Sequence, residues 1–517
     1  MASGHIVRPN EYYDSVFLMG VNKRLGENEG VLQTAVLMGT ENNKRLLADI
    51  GIRGDEIDAA KPNDLIVGVV AESENIVETL LSNLEHYLTM SQVSVGTARF
   101  RSIDDAINAA EAANLAVLSI PGEYVFREAQ SALEAGLHTF IFSSNVPVDE
   151  ELKLKQIAAD KSLLVMGPDC GTSILGGVGI GFANVVRRGA IGAIGPSGTG
   201  LQEFTTLVHH AGGGISHAIG TGSRDLSREI GGITTLMALD KLDEDPETEV
   251  IAIISKPPDK IVLKDLLHRF ESCSKPVVGC FLGIDDVGVE LPDEFHLAKI
   301  IDDAVELSIN LTRGETSAPV DLVESVTSKS VAEIRSSLSP GQRFIRGLFA
   351  GGTFCYQSQQ ILRDAGLELF SNAPIDQSTE LAHLEDSRGH TLIDMGNEEY
   401  TLGRPHPMID GTIRARRVLS EGRDPEVAVL LLDIVLGYNA SGDPVGELLE
   451  SIVDVKKFRR SQGEELVVVA SICGTDDDPQ NRRLQREQLE KAGVIVFDSN
   501  VKATRFCSDL VTQYSGG

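Results

Sequence analysis

Residues 190–225 read AIGAIGPSGTGLQEFTTLVHHAGGGISHAIGTGSRD. Ala190–Ile194 is an apolar run of strand length that stops at Gly195-Pro196-Ser197-Gly198-Thr199-Gly200. From Leu201 apolar residues return at helical spacing (Leu201, Phe204, Leu207, Val208, Ala211) until Gly212–Gly214 end the helix. A second strand, Ser216–Ile219, enters another glycine turn, Gly220-Thr221-Gly222-Ser223-Arg224-Asp225. A strand that ends in a glycine turn and opens a helix presents free backbone N–H groups to an anion. Two such turns, one strand–helix–strand unit apart, lie side by side at the carboxyl ends of parallel strands. Ser197, Gly198, Thr199, Gly220, Thr221, Gly222 and Ser223 are therefore candidate phosphate or oxyanion ligands, with Arg224 supplying charge. Capping of the following helix is the other use for Ser197 and Thr199, and pairing with a carboxylate the other use for Arg224.

Working outward, the 517 residues suffice for three or four domains at about 150 residues each. The 51 glycines suit an α/β enzyme rich in short turns. With 46 basic and 76 acidic side chains the formal charge is −30, which argues against a nucleic-acid partner. A small anionic substrate needs only local cations and backbone N–H groups. No apolar stretch reaches the ~18 residues of a membrane span, and the start MASGHIVRPNEYY lacks a signal core. Cys170, Cys273, Cys280, Cys355, Cys473 and Cys507 are scattered, without CxxC or metal-ligand spacing. The expectation is a cytoplasmic protein with reduced thiols, no metal and no membrane partner.

Strand and helix signals predict a multi-domain α/β fold. Residues 1–90 form a small α/β domain, with strands at Ser15–Gly20, Val31–Met38 and Leu65–Ala71. Residues 91–188 alternate strand and helix as in a Rossmann-like parallel sheet. They lack GxGxxG after the first strand, so dinucleotide binding is not expected. Residues 189–312 hold the central stretch, then a strand at Glu249–Ser255 that ends at Lys256, and a helix that begins at His296. Residues 313–342 read as a connector.

Residues 343–517 repeat the preceding order. An apolar strand, Ile345–Phe349, meets Gly351-Gly352-Thr353, and a helix runs over Tyr356–Ala365. Asp424-Pro425-Glu426 before the strand Val427–Ile434 echoes Asp245-Pro246-Glu247 before Val250–Ile254. An interface between two such halves gathers several helix N-termini. This adds Gly351, Gly352, Thr353, Cys355, Gly437 and Tyr438 to the anion-binding rim, with Cys355 either a nucleophile or a small buried thiol. His209 and His210, adjacent on one helix, make a poor metal pair.

Several motifs in order resemble the succinyl-CoA synthetase superfamily, and most closely the FdrA proteins. GPDCGTSILGG (167–177), IGPSGTGLQEF (194–204), IGTGSRD (219–225) and EDPETEVIAII (244–254) are similar to alpha-subunit segments. DMGNEEYTLGRPHPMID (394–410) and DPEVAVLLLDIVLGYNASGDP (424–444) are similar to the beta subunit's carboxyl-terminal domain. The resemblance implies a CoA-binding-type Rossmann-like domain at 91–188 and two flavodoxin-like ligase domains, at 189–312 and 343–517. It also brings Gly396, Asn397, Arg404 and His406 to the site.

The departures are specific. The superfamily carries phosphate on a histidine loop, whereas FLGIDDVGVELPDEF (281–295) contains no histidine. Lys256 stands where an acidic residue supports that histidine. No ATP-grasp domain is present, and the glycine loop that holds CoA is not evident. The FdrA resemblance implies a subunit of a carbamoyl- or acyl-phosphate transferase, foremost oxamate carbamoyltransferase of purine-ureide (allantoin) breakdown, converting oxalurate and phosphate to oxamate and carbamoyl phosphate. Arg224, Lys256 and His406 are its candidate catalytic residues and inorganic phosphate its co-substrate, with CoA left open. Two alternatives stand beside it: an acid–thiol ligase like succinyl-CoA ligase that works with a nucleotide-binding partner, and a non-catalytic scaffold subunit. Self-association or separate partner chains are expected in each.

Overall fold

A computed structural model describes the chain except residues 1, 12, 14, 27, 29, 41–42, 45–46, 49–50, 91–99, 101, 111, 285–290, 293, 315–330, 402–404 and 513–517. It forms two compact units, residues 1–102 with 398–406, and residues 103–397 with 407–517.

In the first unit, strands β1 (Ala2–Arg8), β2 (Val31–Met38) and β3 (Leu65–Ala71) make an antiparallel sheet in the order β1-β3-β2. Ser15–Gly20, expected as a strand, is instead the start of the helix Ser15–Gly26. Leu18, Val21 and Leu25 recur at three- and four-residue intervals, which places them on one helix face against Val67 and Val69 of β3. A six-residue apolar run does not by itself separate the two periods.

The second unit carries three sheets among the described residues. Strands β4 (Leu115–Leu118), β5 (His138–Ile141) and β6 (Val165–Met166) are parallel, joined by the helices Gly122–Glu134 and Val148–Asp160. Next come β7 (Thr172–Leu175), β8 (Val178–Gly181), β9 (Arg188–Gly195), β10 (Ile215–Gly220), β11 (Val250–Ser255), β12 (Val277–Phe281) and β13 (Phe295–Ala298), in the order β13-β12-β11-β9-β10-β7-β8. His296 lies in the edge strand β13, opposite Val278, rather than at a helix start. Phe295 and Ala298 are buried against the sheet, and the helix begins only at Ile301.

The third sheet contains β14 (Phe344–Phe349), β15 (Leu369–Ser371), β16 (His390–Asp394), β17 (Val427–Val435), β18 (Val467–Cys473) and β19 (Ile495–Phe497), all parallel, in the order β15-β16-β14-β17-β18-β19. The order β12-β11-β9-β10 is matched by β18-β17-β14-β16. In each case the central strand ends in a glycine turn and opens a 13-residue helix, Gly198–His210 or Gly352–Asp364. These two helices are the elements that place the site.

Helix Gly198–His210 is buried from Gly200 to Val208 because both halves pack on it. Its Leu201 and Phe204 join the core around β9, while its Gln202 donates to Asn184 and to the Leu436 carbonyl beyond β17. Asn184 in turn donates to Asp478 and to Leu436. Buried, mutually satisfied amides of this kind fix one docking geometry between the two sheets.

Candidate functional site

Parallel pairing of β9 with β10 sets Gly195 opposite Gly220, so the two turns do lie side by side. They are not equivalent. The first leads straight into its helix, where Ser197 is the N-cap and its Oγ accepts from Gly200 N–H at 3.3 Å. The amides of Gly198 and Thr199, in the first turn of the helix, have no intrahelical acceptor, and Ser197, Gly198 and Thr199 are half-buried rather than sealed.

The second turn is closed by the protein itself. The next helix starts only at Ile233, and its first amides are taken by the Asp225 carboxylate, which accepts from Thr234 N–H (3.2 Å) and Thr235 N–H (2.9 Å). Gly222, at φ 91°, lies against Gly167 and Pro168, where a side chain would collide. Gly220 N–H donates to Ser173 Oγ, and the Thr221 carbonyl accepts from Lys155 Nζ. Ser223 is exposed. Arg224 donates to Glu151 (2.9 Å) and to the Val146 carbonyl (2.7 Å). Fully buried Lys155 bridges Glu151 and Asp225. Of the candidate anion ligands in this turn, the Gly220 amide, the Thr221 carbonyl and Arg224 are thus engaged by Ser173, Lys155 and Glu151, while the buried Thr221 hydroxyl has no hydrogen-bond partner.

The second half supplies the true partner of the first turn. Helix Gly352–Asp364 starts directly against it: Ser197 Oγ and Thr353 Oγ1 are hydrogen-bonded, and a methyl group added to Gly200 would meet Thr353 Cγ2 at 3.3 Å. One added to Gly351 would meet Thr199 Cγ2 at 3.0 Å. Two helix N-termini therefore face one another across a hydroxyl pair. Each helix end carries the equivalent of about half a positive charge. The amides of Ala350 and Gly351, just before the helix, are held by Asp433, which Arg414 neutralises at 2.8 Å. That leaves Gly352 and Thr353 to match Gly198 and Thr199.

Three further groups border this space. Thr172 Oγ1, in a residue 2% exposed, has no hydrogen-bond partner and would be 3.0 Å from a methyl group on Gly198. Lys256 follows the last residue of β11, is exposed, and holds its Nζ 5.3 Å from the centre of the Tyr356 ring on the second helix. Asp394 ends β16, one strand from the second glycine turn. Its Oδ2 lies 2.6 Å from where a methyl group on Gly352 would sit, which is why that position needs glycine. Gly396 N–H donates to its Oδ1 at 3.0 Å. Burial pushes the Asp394 carboxyl up to about 6, with Lys256 as the opposing charge.

The remaining candidates fall elsewhere. Cys355 points into the core, where burial pushes its thiol up, so it is not an activated nucleophile. Gly437 and Tyr438 join the halves structurally: Gly437 N–H donates to Gln480, and Tyr438 N–H donates to the Ala183 carbonyl at 2.9 Å. Gly396 and Asn397 remain beside Asp394. His406 belongs to the first unit, and Arg404 lies outside the described residues. The sequence reading missed Asp394 and Thr172. Asp394 was recoverable as a carboxylate at a strand's carboxyl end next to selected glycines, whereas Thr172 lies inside GPDCGTSILGG with no local sign that its hydroxyl is left unpaired.

Segments of the chain match families of the CoA-ligase type. The CoA-ligase family matches residues 348–510, the CoA binding domain family residues 187–281, and the family described as AllF, heavy metal-associated domain, residues 1–101. The chain belongs to the family of the Escherichia coli uncharacterized protein YahF, to which it is 41% identical over 509 residues, 98% of each chain. It is also 25% identical to the malate–CoA ligase alpha subunit of Methylorubrum extorquens, over 37% of this chain and 65% of that one. Identity to the ADP-forming succinate–CoA ligase alpha subunit of Aquifex aeolicus is 26%, over 31% and 53%. Among solved structures, a dinucleotide-forming acetyl-coenzyme A synthetase from Ca. Korarchaeum cryptofilum is similar at 17% identity and a TM-score of 0.34, covering 81% of this chain and 85% of that one.

The heavy-metal description implies an ion that the donor set does not fit. Residues 1–101 contain no cysteine, and among the described residues no group of three or more His, Cys, Asp or Glu side chains is placed to hold one. For a CoA-type ligand, the amides of Gly198, Thr199, Gly352 and Thr353 at the twin helix start are the groups that would meet a phosphate, while the start of helix Ile233–Glu244 is filled by Asp225. Among the described residues no helix is long and apolar enough to cross a membrane.

Proposed function

We propose that the twin helix start binds inorganic phosphate and that the chain is a subunit of a carbamoyl- or acyl-phosphate transferase, foremost one acting on oxalurate. The observation that carries this reading is the Ser197–Thr353 contact, which brings two helix N-termini together. Amides of Gly198, Thr199, Gly352 and Thr353 hold the phosphate oxygens, Ser197 and Thr353 share hydroxyl protons with them, and Thr172 offers a donor that has no other use. Lys256 stands at the rim, where a second anion and the developing oxyanion gain most from its charge.

Phosphate attacks the carbamoyl carbon, the C–N bond breaks, and the amide leaves. Holding both anions in register removes much of the entropic barrier to their encounter. Direct attack needs no phosphohistidine, in keeping with the histidine-free segment 281–295. The AllF-type match over residues 1–101 leans the same way. His406 and Arg404 remain candidate contributors through the DMGNEEYTLGRPHP segment, and separate partner chains are expected.

The test is carbamoyl phosphate formation from oxalurate and phosphate, by this chain alone and with candidate partner subunits. Product formation whose kcat/KM for phosphate falls at least about tenfold in Thr353→Ala supports the reading. No product in any combination, with saturable CoA binding, overturns it in favour of the acid–thiol ligase. An assembled partner complex whose turnover is indifferent to Thr353→Ala and Lys256→Ala would mark the chain as a scaffold.

A further inference from the structure

We propose that Asp394 is the proton-transferring residue of the twin-helix site, taking up a proton as the phosphate anion enters and passing it to the departing amide nitrogen. This rests on the phosphate site argued above and adds to it the group that handles the proton.

The geometry comes first. Asp394 closes β16 directly beside β14, its Cα paired with Phe349, so it stands level with the glycine turn that opens the second helix. Its backbone is pinned by Asn372, which donates to the Asp394 carbonyl and accepts from its N–H, both at 2.9 Å. The carboxyl therefore has little freedom to swing away. Oδ1 is held by Gly396, while Oδ2 lies against the start of the helix whose amides face the phosphate.

The charges around it are few. Lys256 faces it from the end of β11, the Cys355 thiol from the second helix, and Asp433 from β17, the last already neutralised by Arg414. Lys256 is the cation that favours its ionised form, while burial and Asp433 oppose it. With its carboxyl poised at about 6, Asp394 is ionised at pH 7.5 in the empty site. A phosphate dianion beside it is a like charge in a poorly solvated place and competes for Lys256. Both effects favour the protonated carboxyl. Once protonated, Asp394 ceases to repel the anion and becomes a donor.

The step balances. A phosphate oxygen forms a bond to the carbamoyl carbon, and the electron pair of the breaking C–N bond goes to nitrogen. That nitrogen takes the Asp394 proton and leaves as a neutral amide. The carboxylate then takes the proton that hydrogen phosphate gives up on becoming a mixed anhydride, so no proton is gained or lost over a turnover. The substrate class is an N-acyl or N-carbamoyl amide, whose nitrogen cannot leave unprotonated.

The experiment is calorimetric titration of the full chain with inorganic phosphate at pH 7.5, in buffers of different ionisation enthalpy, comparing wild type with Asp394→Asn. The wild type is expected to take up nearly one more proton per phosphate than the variant. Asp394→Asn should bind phosphate at least as tightly, while kcat in the transferase assay falls by about 10²–10⁴-fold with little change in KM. Equal proton uptake by the two proteins overturns the inference. Should the variant not fold, the wild type decides alone: after subtraction of phosphate's own ionisation, its uptake should be near zero at pH 5 and near one at pH 7.5, and no uptake at either pH overturns it. If wild type binds no phosphate at all, the phosphate site itself fails, an outcome distinct from binding without proton uptake.

Discussion

Glu203 Oε1 accepts a 2.8 Å hydrogen bond from the backbone N–H of Asn500, so a carboxyl in the middle of the first site helix caps the start of helix Asn500–Val511 in the other half. Asp302 joins the same contact, accepting from Ser499 Oγ at 2.7 Å. Burial, with Asp302 adding to it, pushes Glu203 up to about 8, and burial pushes Asp302 up to about 6. Both carboxyls bind protons more tightly folded than unfolded. Their contribution is complete below pH 4 and is lost as pH rises, through about 6 for Asp302 and about 8 for Glu203. Chemical denaturation from pH 5 to pH 9 should show the wild type losing stability relative to Glu203→Gln across this window, a comparison in which the opposing contributions of buried His210, His390 and Lys456 cancel. Glu203→Gln, which keeps the acceptor and removes the charge, should flatten the fall and gain about 1–2 kcal/mol at pH 8. An unchanged pH profile would place the titration elsewhere.

Removing the hydroxyls that join the helix starts separates binding from stability. Thr353→Ala should weaken phosphate binding about tenfold, the worth of one good hydrogen bond to a charged group. Ser197→Ala should do the same and also lower stability by about 1 kcal/mol through loss of the N-cap. Calorimetry with phosphate and thermal melts of the same samples read both. Unaltered phosphate affinity in both variants would exclude these hydroxyls as ligands.

Lys256 is exposed, with its Nζ over the Tyr356 ring, so Lys256→Met should leave the melting temperature within about a degree or two. Anion affinity should drop several-fold at low salt, and the difference from wild type should shrink as salt rises. A salt-independent loss would point to lost packing instead.

Arg224 and Lys155 should behave in the opposite way. Replacing Asp225 with Ala strips the buried Lys155 of a 2.6 Å partner and uncaps helix Ile233–Glu244, at a cost of about 3–5 kcal/mol. Arg224→Ala exposes less and should cost about 1 kcal/mol, with phosphate affinity unchanged. Weaker phosphate binding by Arg224→Ala in a protein of normal stability would return the second glycine turn to the site.

Gly352→Ala tests the tight space beside Asp394. The added methyl group would meet Oδ2 at 2.6 Å, so the carboxyl or the helix start must shift. Phosphate binding should be lost with a destabilisation of about 1–3 kcal/mol, and a variant that binds normally would show that this carboxyl is not on the ligand's side of the helix.

Much of this was legible in the residues themselves. The apolar runs that end in Gly195 and at Gly351 determined two equivalent α/β halves, since strand length, glycine turn and helical spacing are local properties that the chain carries in any context. Ser197, Thr199, Gly352 and Thr353 could be picked for the same reason: a free amide at a helix start depends on a few neighbouring residues. Charged partners are not local. Arg224 looked available because Glu151, which claims it, is 73 positions away, and the place of Asp394 beside the second glycine turn shows only once β16 is set beside β14. Only the tertiary structure decided which donors are consumed and which are left free, because that depends on which distant carboxylate folds within hydrogen-bonding reach. It is the docking of the two halves through Ser197 and Thr353, and not either glycine turn by itself, that makes a site.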